Sequence, residues 1–285
     1  MRLRRSIICL KGRNSLETSS SLVRPITCVM LNVKVSLNLL ANSIPAYPTP
    51  GLSADCGGHD FAKGRTMKRA YSKSQYAKPY ERYCRELYPA EAEQIFQRAE
   101  EYYLEFMKDM PDLGENMMAK NMLDWLTIIS FYEASGHRLD GKALLEIKRR
   151  AVEKMKFIGK LVDGNRSKWP YRLFEKTYIN FNRMQAEHQA KGEWLGSWKV
   201  EINPDRRTDG FSFHLVGCPI AKHAKAHGYG ELLPYLCKTD HYLAKVMHAR
   251  LIRTQTEALG GDCCDYWYVG DQSPVLEDYR DLEEI

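Results

Sequence analysis

Cys218 is where chemistry is most readily placed in this chain, because Pro219 follows it and proline suits the first position of a helix, leaving the thiol at the N-cap. A thiol there meets free backbone N–H groups and the positive end of the helix dipole, and both favour the nucleophilic thiolate. The same dipeptide also fits a buried cysteine that happens to precede a proline. Further on, Cys237, Asp240 and His241 fall at i, i+3 and i+4 of a helical run, so one helix side can carry a thiol, a carboxylate and an imidazole. An acid and an imidazole so placed suit proton transfer near neutral pH, or else stand solvated beside a core cysteine.

Arg253, Gln255 and Glu257 alternate with Ile252, Thr254 and Thr256, as the two faces of a strand do. Arg253 can then pair with a substrate carboxylate in bidentate fashion, or with Asp265 across a hairpin. Cys263 and Cys264 point to opposite strand faces, so one of them can join Cys218 and Cys237. From Phe213 to Tyr268 the chain holds four of its eight cysteines and five of its eight histidines, His214, His223, His227, His241 and His248. Zinc sites contain a tight chelating pair, and gaps of 18, 25 and 0 residues between successive cysteines match no such framework. Neither a metal nor another cofactor is expected.

The elements that must position these residues come in two textures. Helical spacing runs over 89–110, 116–135, 140–161 and 171–190, with Gly136 and Gly192 as stops and Asp140 as a cap. The second of these is apolar all round and central. The third shows one stripe, Leu144, Ile147, Val152, Met155 and Ile158. His137 and His188 sit at helix ends in solvated or packing roles. From Trp198 the pattern changes to a hairpin, 198–202 with 210–216, then helices over 219–227 and 231–247, then a second hairpin, 251–258 with 263–269. The expected fold is α+β: an N-terminal helical region, 67–196, packed with an antiparallel sheet of two hairpins separated by two helices, 197–270. An acidic tail, 271–285, is expected to fray.

Residues 1–66 read as a poorly ordered leader or an upstream extension of a chain whose natural start is Met67, closed by a loop-like run of Pro45, Pro48, Pro50, Gly51, Gly57 and Gly58. The apolar run 26–40 is too short and, with Lys34, too polar to span a bilayer, and the order of features is wrong for a signal peptide. The leader carries nine basic against three acidic residues, which is the whole net charge of +6. The rest is electrically balanced, so neither a nucleic-acid nor a membrane partner is expected. Eight irregularly spaced cysteines without a secretory segment fit a reducing compartment, and a cytoplasmic location follows.

Four motifs in order carry a resemblance: Gly-Cys-Pro at 217–219, Glu-Leu-x-Pro-Tyr-x-Cys-x-x-Asp at 231–240, Leu-x-Arg-Thr-x-Thr at 251–256 and Gly-x-x-Cys-Asp-aromatic at 261–266. Over roughly 90–270 the chain resembles the L-2-amino-thiazoline-4-carboxylic acid hydrolase family. The resemblance implies hydrolytic opening of a small cyclic amidine-type substrate, such as 2-aminothiazoline-4-carboxylate, to N-carbamoyl-cysteine. Cys218, Cys237, Asp240 and His241 would then be catalytic, with the Cys218 thiolate or a water activated by Asp240 attacking C2. Arg253, Thr254, Thr256, Cys264 and Asp265 would bind substrate. The family often has histidine just before the final Cys-Asp, where this chain has Cys263. The closing strands are also similar to sensing domains related to 4-vinyl reductases, which would bind a small molecule without catalysis.

Overall fold

The computed structural model describes residues 68–285 except Ser167. The leader, its Pro/Gly-rich end and the start at Met67 lie outside the described residues, as does the side chain of Ile158. Helix α1 (Ala77–Leu87) is not among the helices expected from the sequence, although Ala77, Tyr80 and Cys84 keep helical spacing and are buried. Helices α2 (Ala92–Phe106) and α3 (Ala119–Ala134) follow, and α3 buries Trp125, Leu126, Ile128, Ile129 and Phe131. From Met122 onward the helix is buried nearly all round, as its mostly apolar sequence implies, with Asp124 the acid inside it. Helix α4 (Gly141–Glu153) starts where Asp140 Oδ1 accepts the Lys142 and Ala143 N–H groups at 3.0 Å each.

α4 ends sooner than its apolar stripe implies and gives way to a 3₁₀ turn, Lys156–Lys160. There a Cβ on Gly159 would stand 2.6 Å from the Val246 carbonyl oxygen, so only glycine lets the chain pass so close. Helix α5 (Trp169–Gln189) lies against the first strands. Its Gln185 and Asn182 amides donate to the carbonyls of Trp198 and Val200.

The sheet has four strands, β1 (Lys199–Ile202), β2 (Phe211–Val216), β3 (Ala249–Ile252) and β4 (Cys264–Gly270), all antiparallel in the order β1-β2-β4-β3. Between β2 and β3 run α6 (Pro219–Ala226) and α7 (Leu233–Val246). The expected α+β order is therefore the observed one. The two hairpins abut through β2 and β4, with Phe213 opposite Tyr266 and Leu215 opposite Cys264. Side chains alternate along a strand, so Phe211, Phe213, Leu215, Cys264, Tyr266 and Tyr268 share the face turned to the helices. One apolar core joins that face to α1–α4, from Tyr71 and Trp125 to Phe213 and Cys264.

β3 stops at Ile252, short of the expected 258, because Asp265 takes over as partner. Its carboxylate accepts the N–H groups of Thr254 and Gln255. The tail does not fray: Val275, Leu276, Tyr279 and Leu282 cover Ile252, Trp267 and Val269 on the outer face of the sheet. Its acidic residues turn outward while its apolar ones are held. Among the described residues no helix is long and apolar enough to cross a membrane.

Candidate active site

Gly217 takes φ +75°, which turns the chain out of β2 and sets Cys218 as the N-cap of α6 with Pro219 at its first turn. Cys218 Sγ accepts the Ala221 N–H at 3.5 Å, the expected cap geometry. The N–H groups of Gly217 and Cys218 both donate to the Glu257 carboxylate. The thiol's state differs from the expectation: burial pushes the Cys218 thiol above its ordinary value, and Glu257 adds to this, against the smaller pull of Ala221 and Trp198. At neutral pH it is a thiol and not a thiolate. Burial likewise pushes Cys237 and Cys264 up to about 12.

On α7, Cys237 and Asp240 turn to one cavity, whereas His241 does not line it. Consecutive helix residues point about 100° apart, so Asp240 and His241 diverge although both neighbour Cys237. His241 is buried on the other side, its Nε2 3.1 Å from the Ile285 carbonyl oxygen, and burial holds the imidazole below its usual value. Asp240 Oδ2 receives two bonds, from Arg253 Nη1 and from the Tyr266 hydroxyl, each 3.1 Å.

Arg253 is fully buried, at 0% exposure, and its guanidinium is already used. Besides Asp240 it donates to the Cys237 carbonyl at 2.7 Å and to the Ile285 carbonyl from Nε at 2.9 Å. Its partner is thus Asp240, neither Asp265 nor an open space. Thr254, Thr256 and Asp265 also stand away from the cavity. Asp265 bonds Thr254 Oγ1 at 2.6 Å, and Thr256 Oγ1 accepts the Leu259 N–H at 3.3 Å to cap a 3₁₀ turn, Glu257–Leu259. Of the cysteine pair, Cys264 faces the cavity, while Cys263 lies on the outer face 3.6 Å from His214 Nδ1.

The cavity measures about 140 Å³ and brings together Cys218, Cys237, Asp240 and Cys264. It also takes in two residues outside the candidates expected from the sequence, Asp124 from α3 and Lys148 from α4. Asp124 accepts from Ser74 Oγ (2.7 Å), Gln75 N (2.9 Å) and Gln75 Nε2 (2.6 Å), yet burial outweighs these bonds and raises its carboxyl. Lys148 Nζ lies 5.3 Å from the centre of the Tyr76 ring and makes no ion pair within 4.0 Å among the described residues. Burial opposes its ammonium, but Tyr76, Asp240 and Asp124 outweigh that and hold it above the usual lysine value. Both had a signal. Asp124 is the acid inside the apolar run of α3, and Lys148, four residues after Leu144, sits on the apolar side of α4.

A second cavity, about 230 Å³, adjoins the first and shares Asn121, Leu215, Asp240 and Tyr266 with it. A larger hollow of about 330 Å³ lies between α1 and α4 among Arg82, Glu86, Arg150 and Lys154, and none of the candidate catalytic or substrate-binding residues lines it. Among the described residues no group of three or more His, Cys, Asp or Glu side chains is placed to hold a metal ion.

The stretch from Met118 to Tyr268, which holds most of both cavity walls, also carries the family signal. A family model described as L-2-amino-thiazoline-4-carboxylic acid hydrolase matches residues 116–268, more than half of the chain. No curated protein and no solved structure matches it.

Proposed function

We propose, from the premise that the chain belongs to the L-2-amino-thiazoline-4-carboxylic acid hydrolase family, that it opens a small cyclic amidine bearing a carboxylate, with 2-aminothiazoline-4-carboxylate as the reference substrate. One observation carries the reading: a single small cavity holds the carboxylates of Asp124 and Asp240 and the ammonium of Lys148 beside Cys218. Such a substrate is a zwitterion, an amidinium at one end and a carboxylate at the other. The two acids suit the amidinium, and Lys148 suits the carboxylate, in surroundings where weak screening strengthens both contacts.

Water is the nucleophile in this scheme. Asp240 has both of its bonds on Oδ2, which leaves Oδ1 for the attacking water. As the water oxygen bonds to C2, its proton passes to Asp240. The C2–S bond then breaks, the departing sulfur takes a proton, and C2 becomes the carbonyl of N-carbamoyl-cysteine. In sum, starting from the amidinium, the water's oxygen ends on C2, one of its hydrogens on sulfur, and the remaining proton passes through Asp240 to solvent, the ring nitrogen keeping the hydrogen it already carried. The protonated state of Cys218 supports a role as donor to the departing sulfur better than a role as nucleophile.

The test is turnover of 2-aminothiazoline-4-carboxylate by the full chain, followed as new free thiol, with label from ¹⁸O-water expected in the carbamoyl group. Asp240→Asn should lower kcat by roughly a hundredfold or more, the scale of general-base catalysis. Cys218→Ala should keep measurable activity. A covalent adduct on Cys218 found by mass spectrometry during turnover would return the attack to the thiol, and a folded wild type that releases no thiol would end the reading.

A further inference from the structure

Beyond Asp240 and Tyr266 the second cavity opens between Tyr171, Phe174, Tyr178, Phe211, Phe213 and Tyr268. Its wall is built of contacting rings: Phe213 stacks on Tyr266 at 4.7 Å and 6°, and Tyr178 lies 4.6 Å from Phe213. Among the described residues lining it, Asp240 is the one that carries charge. Phe174 and Leu243, 40% and 38% exposed, stand at its walls and give it access to solvent. Native interiors keep few voids of this size, and an apolar one gains by taking an apolar guest. An unsubstituted aminothiazoline carboxylate finds partners for both its charges in the first cavity and leaves this one unused.

Building on the reaction proposed above, we infer that the second cavity receives an apolar, ring-bearing substituent on the exocyclic nitrogen of the substrate. The connectivity of the two cavities points to that atom. With the carboxylate at Lys148 and C2 at Asp240, the group attached to C2 on the side away from the carboxylate is the exocyclic nitrogen, and what it carries lies across Asp240. The substrate class is then 2-(substituted amino)-thiazoline-4-carboxylates. Water again adds its oxygen to C2 and the C2–S bond breaks, giving N-(substituted carbamoyl)-cysteine with no further reactant.

The experiment compares 2-benzylamino- and 2-amino-thiazoline-4-carboxylate with the full chain. The benzylamino compound should show a kcat/KM higher by roughly tenfold or more, the worth of burying one ring. Leu243→Trp, which fills the chamber, and Phe174→Ala, which removes part of its wall, should each bring the ratio of the two values toward one. A wild-type ratio of one or less, or a ratio that neither substitution moves, overturns the inference while turnover of the amino compound upholds the reaction. If neither compound is turned over, the reaction fails and calorimetric binding decides the chamber. Tighter binding of the benzylamino compound that Leu243→Trp weakens sustains it, and equal or undetectable binding of the two sinks it.

Discussion

A cysteine at a helix N-cap can be drawn toward thiolate by the dipole or away from it by burial, and in Cys218 the second effect prevails. The cap bond goes to sulfur, a weak acceptor, and Glu257 places negative charge on the two N–H groups just before the helix. Iodoacetamide should therefore label Cys218 slowly at pH 7, with the rate climbing about tenfold per pH unit until the thiol ionises above pH 9. A fast, pH-independent reaction between pH 6 and 8 would show a thiolate instead. Lys148 invites the complementary test. Lys148→Met should raise KM for a carboxylated substrate roughly ten- to hundredfold and change kcat less, as loss of a charge-assisted contact does. Equal loss in kcat and kcat/KM would mean that the ammonium acts on the reacting atoms. At this scale local spacing made Cys218 at its cap and Cys237 with Asp240 on one helix side legible, while it left Cys263 and Cys264 undecided and set His241 on a face it does not share. Arg253 was not legible in the same way: strand alternation offered it to a substrate carboxylate or to Asp265, but β3 ends one residue before it and its guanidinium turns to Asp240.

Helix α6 carries Cys218, and its place against α3 depends on one polar contact inside an apolar boundary. The Trp125 indole N–H donates to His223 Nδ1 at 3.1 Å, so the imidazole keeps its proton on Nε2, which is buried without a partner among the described residues. Burial first, and the stacked His227 second, depress His223 to about 4. The unfolded chain binds its proton near pH 6.5, above the folded value, so the stabilisation is full above pH 6.5 and is lost as pH falls toward 4. The loss is on the order of 2–3 kcal/mol. Urea midpoints measured from pH 7 down to pH 4 should fall for the wild type and fall less for His223→Gln, and parallel slopes would remove His223 as the cause. Element boundaries were legible wherever one residue governs the end, as with Asp140 before α4 and Cys218-Pro219 before α6. They were not legible where a distant element decides, as where α4 yields to the passing end of α7 at Gly159.

Across the whole molecule, the candidate site draws on α3, α4, α6, α7 and β4, and its central acid is held from behind by the end of the chain. Arg253, fixed on Asp240, and His241 both reach the Ile285 carbonyl, Lys245 pairs with Glu284 at 2.7 Å, and Tyr279 packs edge-on against Trp267 at 5.7 Å. None of this was visible in a tail whose acidic composition reads as solvated, although Val275, Leu276, Tyr279 and Leu282 keep helical spacing. Ending the chain after Gly270 would uncover Ile252, Trp267 and Val269 and strip Arg253 of its Ile285 bonds, leaving a buried cation with fewer partners. The expected result is a loss of about 3 kcal/mol or more in unfolding free energy, with kcat falling as Asp240 loses its fixed orientation. Tyr279→Ala separates the two effects: it removes packing on the outer face while the Ile285 contact to Arg253 stays, so stability should drop with kcat largely kept. If the shortened chain melts and turns over like the intact one, the tail does not brace the site, and the orientation of Asp240 rests on Tyr266 and Arg253 alone.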